Sequence, residues 1–282
     1  YETKIYFDYL WLGINKGAQE LKGLNIEISP FVCDNEEEQL AQLKEIADKG
    51  PGEYGGVITI SFTRASEVLM QFQRMLAKDM RVLVIDDHIE IPEGLISIPP
   101  REIQVGKVAA ELAALITPDK GRILVSCGRK DSKIHEGRLE SFCNYIKENK
   151  PELIIELVTG YTRNMDHRGE LYKNACEALG KYSDICLIYA LTSHDNRAFV
   201  EALEKHGNNK KVAIIGTDLN EETLEFLKKK RMSAVIDQNP YDKGYMAFKI
   251  MVDCLIKNMS VPDVIPCRID IALENNADLC AD

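Results

Sequence analysis

The chain has 282 residues, 45% hydrophobic and 28% charged, as in a globular protein rather than a disordered or fibrous one. Its 45 acidic residues against 35 basic ones leave a net charge of −10, which repels phosphate backbones and argues against nucleic-acid binding by this chain alone. No apolar run approaches the ~18 residues that a membrane span needs, so no membrane partner is expected, and no signal-peptide pattern opens the chain.

Helical and strand patterns alternate from the start. Leu10, Ile14, Ala18 and Leu21 recur at helical spacing, and Asn25–Ser29 reads as a strand. Asn35 is placed to cap a helix, since Glu36, Glu37 and Glu38 suit the positive end of a helix dipole and Leu40, Leu43 and Ala47 follow. Gly56–Phe62 is the next strand, Val68, Phe72 and Leu76 mark a helix, and Arg81–Asp86 and Leu95–Ile98 are strands. After the Pro-rich stretch Ile98–Glu102 comes a helix through Val105, Val108, Ala109, Leu112 and Ile116. Arg122–Ser126 is a strand, Leu139, Phe142 and Ile146 a helix, and Leu153–Val158 and Ile185–Ala190 are strands. Ala198, Ala202 and Leu203 mark a helix, Val212–Gly216 and Ser233–Ile236 are strands, and Gly244, Phe248, Met251 and Leu255 lie on a last helix.

The strands are short, near-continuous apolar runs, the pattern of strands buried on both faces of a parallel sheet. Nine of them are many for one open sheet, and the Pro-rich stretch offers a cut. The expected fold class is therefore α/β, with two doubly wound parallel-sheet lobes and ligand chemistry at the strands' carboxyl ends.

Catalytic signatures are missing: there is no GxxxxGK[ST], no GxGxxG after a strand, no GxSxG and no HExxH. The eight cysteines show no CxxC spacing and the five histidines no ligand spacing, so neither a disulfide framework nor a zinc site is expected. No enzyme activity, metal or cofactor is expected.

Val212–Ile256 carries the most specific pattern. An apolar strand ends in Gly-x-Asp, a helix follows, a second strand ends in Asp-Gln-x-Pro, and a helix starts near Gly244. This resembles the C-terminal half of the type I periplasmic-binding-protein fold, shared by ribose- and galactose-type solute-binding proteins and by the effector domains of LacI/GalR regulators. Phe7-x-x-Leu10-x-x-Gly13-Ile14, Val82–Asp87, Arg138–Phe142 and Ser193-His194-Asp195-x-x-Ala198 resemble further motifs of that family in the same order. Ser141 replaces a glycine and His194 an asparagine. Tyr6 and Phe7 fall so near the start that the family's first strand is missing or shrunk to Thr3–Phe7.

The resemblance implies a lobe of residues 1–102 with 238–266, a second of 103–237 with 267–282, and a three-segment hinge. It implies ligand contacts from Lys4, Tyr6 and Phe7 in the loop before the first helix, where the two rings either cover a sugar face or staple that helix. Phe62 is a further aromatic candidate, and Asp86 a hydroxyl-accepting carboxylate. From the second lobe it implies Arg138, whose fork serves a ligand unless it forms a surface pair with Glu136 or Glu140. His194, Asp218 and Gln238 complete the set.

The reading this resemblance favours is the effector-binding and dimerisation domain of a cytoplasmic LacI/GalR-type regulator. Its effector would be a sugar or sugar derivative, acidic sugars included. Operator DNA would be met only through a helix-turn-helix upstream of Tyr1. A homodimer is expected through Arg64–Lys78, on Met70, Phe72 and Met75. The alternative is a solute-binding protein or exported sugar sensor with the same pocket.

Overall fold

A computed structural model describes residues 4–60, 65–86, 92–129, 132–160, 169–207 and 212–280. In chain order the elements are α1 (Lys4–Glu20), α2 (Glu36–Lys49), β1 (Gly56–Thr59), α3 (Ala65–Leu76), β2 (Arg81–Ile85), β3 (Leu95–Ile98) and α4 (Glu102–Ile116). There follow β4 (Gly121–Ser126), α5 (Lys133–Asn149), β5 (Leu153–Val158), α6 (Glu170–Lys181), β6 (Ile185–Tyr189) and α7 (Asp195–Lys205). The last are β7 (Ala213–Thr217), α8 (Glu221–Lys228), β8 (Ala234–Asp237), α9 (Pro240–Lys257), β9 (Asp270–Ala272) and α10 (Ala277–Cys280). The chain forms two units. The first holds the described residues up to Pro100 together with Pro240–Cys267; the second holds Arg101–Asn239 and the described residues from Arg268 onward.

In the first unit β1, β2 and β3 form a parallel sheet in that order. Because side chains alternate along a strand, β2 serves two cores. Leu83 and Ile85 pack with Leu10 and Ile14 of α1 and with Ala247, Phe248 and Met251 of α9. Val82 and Val84 pack with Leu43 and Ile46 of α2 and with Val68, Phe72 and Met75 of α3. The Asn35 side chain accepts from Glu38 N and caps α2, as its sequence suggests.

Three expectations are corrected here. Lys4, Tyr6 and Phe7 do not lie in a loop or a shrunken strand; Lys4–Phe7 is the start of α1. The reason is visible in the sequence, since Tyr6, Leu10 and Ile14 continue one helical stripe that packs into the same core. Asn25–Ser29 is not a strand. It has the composition, but no described strand pairs with it, and a strand exists through its partner's hydrogen bonds. Phe72 and Met75, expected to be exposed contacts of a dimer, are fully buried in the unit's own core, whereas Met70 is exposed.

The second unit has a six-stranded sheet in the order β5-β4-β6-β7-β8-β9. All pairs are parallel except β8 with the short edge strand β9, which runs antiparallel. One face packs on α4 and α5 through Val105, Ala109, Phe142 and Ile146, the other on α6, α7 and α8 through Leu171, Phe199 and Phe226. The Phe142 ring stacks on that of Tyr189, with centroids 4.6 Å apart. Among the described residues no helix is long and apolar enough to cross a membrane.

Candidate functional site

A cluster of buried polar side chains of the second unit lies where β4, β6, β7 and β8 end. β6, β7 and β8 are apolar until their last residues, and β4 is apolar between Arg122 and Ser126, so chemistry-bearing groups stand at the carboxyl ends. The chain turns sharply just after β7, where Asp218 takes a left-handed φ of 64°. Aspartate and asparagine tolerate that region better than most residues because their short side chains bond locally.

Three of the expected residues meet there. Gln238, directly after β8, donates from Nε2 to Asp218 Oδ1 at 2.7 Å. Its Oε1 accepts from Arg138 Nη2 at 2.8 Å, and Arg138 Nη1 donates to the Leu191 carbonyl, after β6, at 2.7 Å. Arg138, on α5, is only 3% exposed. It is thus no surface partner of Glu136 or Glu140. Its Nε has no hydrogen-bond acceptor among the described residues. The amide of Gln238 is oriented by this chain, since only one of its two ends can donate.

A second layer supports the first. Asp195, the first residue of α7, is fully buried and accepts from Ser126 Oγ at 2.8 Å, and that Oγ accepts from Leu191 N. Burial pushes the Asp195 carboxyl up to about 6, against hydrogen bonds from Ser126 and Thr192 that pull it down. Asp237 accepts from Leu219 N at 3.0 Å, which braces the turn carrying Asp218. Burial first, and then the charge of Asp218, push Asp237 up to about 7. His194 is half-buried and precedes α7 without capping it through its side chain. Asn220 caps α8 in a capping box with Thr223, whose Oγ1 also donates to the Asp218 carbonyl.

The first unit brings Tyr6 and Asp86 together. Asp86 follows β2 with a φ of 51°, and its Oδ2 accepts from the Tyr6 hydroxyl. Its Oδ1 accepts from Lys243 Nζ at 2.7 Å, and Lys243 also donates to Tyr6 Oη at 3.0 Å. Phe7 meets Tyr6 edge to face, with ring centroids 6.2 Å apart. Of Lys4 only the backbone, in α1, is described, and Phe62 lies outside the described residues. Asp195, Asp237, Ser126 and Lys243 were not among the expected site residues. Asp195 and Asp237 stand inside motifs that were quoted, whereas Lys243 would have shown only as a lysine on the buried stripe Lys243, Ala247, Met251 of α9. Among the described residues no group of three His, Cys, Asp or Glu side chains could hold a metal ion.

Residues 1–258 match the family described as a periplasmic binding protein domain. The chain belongs to that family. This periplasmic binding protein domain is 24% identical over 263 residues to the D-allose-binding periplasmic protein of Escherichia coli (strain K12), covering 89% of the chain and 82% of that protein. Among solved structures it resembles a periplasmic solute-binding protein of an ABC transporter from Actinobacillus succinogenes 130z with bound D-allose, at 16% identity and a TM-score of 0.82, covering 97% of this chain and 95% of that one. It also resembles a structure from Bacteroides fragilis assigned as a LacI transcriptional regulator, at 18% identity and a TM-score of 0.79, covering 97% and 94%. The α/β periplasmic-binding-protein fold expected from the sequence is the fold of this domain. Its relatives named here are binding proteins and a regulator, not enzymes.

Proposed function

We propose that the domain binds a neutral monosaccharide reversibly and without chemical change, as a solute-binding protein or sugar-sensing domain. The observation that carries this reading is the buried chain Arg138–Gln238–Asp218 at the strand ends of the second unit. It sets a fixed donor, a fixed amide and a carboxylate side by side, the groups that sort hydroxyl stereochemistry. Asp218 keeps acceptor capacity beyond the Gln238 bond. Asp218 already faces the single guanidinium across Gln238, which favours a neutral sugar over a sugar acid or phosphate. The 24% identity to a D-allose-binding protein supports the same class. A wrong stereoisomer would leave buried polar groups unpaired, a larger penalty than a poor apolar fit.

The test is titration calorimetry with D-allose, D-ribose, D-galactose and D-glucose, and with a sugar phosphate and a sugar acid. Saturable binding of at least one neutral sugar, with no binding of the anionic ones, is expected. Preference for an anionic ligand, or no binding at all, overturns the reading.

A second reading, the effector-binding domain of a LacI/GalR-type regulator, is supported by one observation. Cys33, Cys143, Cys176, Cys186, Cys254 and Cys280 are free thiols, most of them half-buried, an arrangement suited to a reducing compartment. The residues encoded upstream of Tyr1 discriminate the two: a helix-turn-helix favours the regulator, a signal peptide or lipoprotein cysteine the solute-binding protein.

A further inference from the structure

We infer that Lys243 is a positioning residue that fixes Asp86 and Tyr6 as one rigid sugar-recognition element of the first unit. The inference rests on the sugar-binding reading above and adds to it a residue that determines specificity. Lys243 is 1% exposed and lies in the first turn of α9. Both facts count against a lysine there. A buried ammonium loses its hydration, and the N-terminal turn of a helix is its positive end. A methionine of similar volume would fill the position without either cost, and such replacements of buried ion pairs are often neutral or stabilising. Packing therefore does not account for the charge.

The contacts do. Lys243 Nζ donates to Asp86 Oδ1 at 2.7 Å and to Tyr6 Oη at 3.0 Å, and lies 5.5 Å from the centroid of the Tyr6 ring. Tyr6 in turn donates to the other oxygen of Asp86. Three elements, α1, the end of β2 and α9, are thus closed into one triangle of hydrogen bonds. Among the described residues each carboxylate oxygen accepts once, and each retains a second lone pair. The side chain of Asp86 is 11% exposed, so that remaining capacity is reachable only over a narrow opening. The same ammonium that compensates the Asp86 charge anchors the Tyr6 hydroxyl and so the position of the phenol end of the ring. Carboxylate direction and phenol position, the two features that meet a sugar hydroxyl and a sugar face, are set together by one side chain.

The experiment compares wild type, Lys243→Met, Asp86→Asn and the double variant by calorimetry with D-allose, D-glucose, D-galactose and D-ribose. Thermal unfolding is recorded for each variant. For Lys243→Met a tenfold or greater loss of affinity for the best sugar is expected. The ratio between that sugar and its weakest-binding epimer is expected to fall severalfold, a change that general loosening of the fold would not produce. The double variant is expected to lose clearly less than the sum of the two single losses, because Lys243 acts largely through Asp86. It also removes both charges, so it reports on recognition even if Lys243→Met unfolds. Equal weakening toward all four sugars, unchanged binding, or strictly additive losses in the double variant would overturn the inference while leaving the sugar-binding reading intact. A wild type that binds none of the four sugars removes both.

Discussion

Gln238 stands between Arg138 and Asp218, donating to the carboxylate at 2.7 Å and accepting from the guanidinium at 2.8 Å. Among the described residues the two charged groups form no ion pair with each other; the neutral amide joins them. Asp218→Ala therefore removes more than one ligand acceptor, because it also frees the Gln238 amide to turn away from Arg138. The expected loss is about 2 kcal/mol or more of sugar affinity, the scale of a charge-assisted hydrogen bond plus an unpaired partner. Thermal stability should fall only modestly, by about 1 kcal/mol, since alanine tolerates the left-handed φ of 64° less well than aspartate but no apolar cluster loses a side chain. Calorimetry and a melting curve on the variant check both halves. Wild-type affinity in Asp218→Ala would remove this carboxylate from the site.

Stability should respond to pH through Asp195 and Asp237. Both carboxyls are raised above the ordinary 3.8, to about 6 and about 7 respectively, chiefly by burial. The folded chain thus holds protons that the unfolded chain releases at lower pH. The resulting contribution to stability is fully present below the unfolded value and is lost as pH rises through about 6 and 7. Asp237→Asn keeps an acceptor for Leu219 N but cannot ionise. Relative to wild type it should gain on the order of 2–4 kcal/mol between pH 5 and pH 8, at 1.36 kcal/mol for each pKa unit. Denaturant unfolding of both proteins at the two pH values measures this. A stability difference that is the same at pH 5 and pH 8 contradicts the assignment.

Two glycines set the contact between α1 and α9. A Cβ added at Gly13 would lie 2.0 Å from the Tyr241 carbonyl oxygen, and one at Gly244 would lie 2.0 Å from that of Leu10. Backbone cannot yield as a flexible side chain does, so the helices would have to separate. Gly13→Ala and Gly244→Ala are each expected to destabilise by about 3 kcal/mol or more, at or above the usual cost of overpacking. The ordinary helix preference for alanine works the other way by only ~1 kcal/mol. Chemical denaturation gives the sign at once, and a stabilised Gly13→Ala would mean that the helices pack less closely than described.

The alternation of strands and helices was legible because parallel strands buried on both faces read as apolar runs. Val82–Ile85 and Ile123–Val125 serve two cores at once and carry no polar residue to disturb the pattern. Asn25–Ser29 shows the limit, since its residues announce a willing strand but not that no described strand pairs with it. The antiparallel β9 is three residues long, too short for any period to show. Helix α6, by contrast, had a usable signal in Leu171, Ala175 and Leu179 at i, i+4 and i+8. Leu112 reads like a core leucine of α4 but is only half-buried, because Val105, Ala109 and Ala113 form the inward stripe. At the site, the resemblance to the periplasmic-binding-protein fold pointed to Arg138 on α5 and to Asp218 and Gln238 at strand ends. Their meeting could not be read, since Arg138 and Gln238 are 100 residues apart in the chain. Lys243 was invisible for a different reason: a lysine on a helix is ordinarily solvated, and only three-dimensional burial shows that this one is not.

The packing of α5 links core stability to ligand recognition. Phe142 is fully buried, stacks on Tyr189 and lies one turn after Arg138, so its ring anchors the helix segment that presents the guanidinium. Phe142→Ala removes that anchor and leaves a cavity, for which a loss of about 3–5 kcal/mol of folding stability is expected. Phe142→Leu keeps most of the volume and should lose about half as much or less. If α5 positions Arg138 through this contact, sugar affinity should fall in the same order, with Phe142→Ala weaker than Phe142→Leu and both weaker than wild type. Paired denaturation and calorimetry, the latter at a temperature where each variant is fully folded, separate the two effects. Affinity unchanged in a destabilised Phe142→Ala would show that the bonds from Arg138 to Leu191 and Gln238 hold the guanidinium without help from the core beneath it.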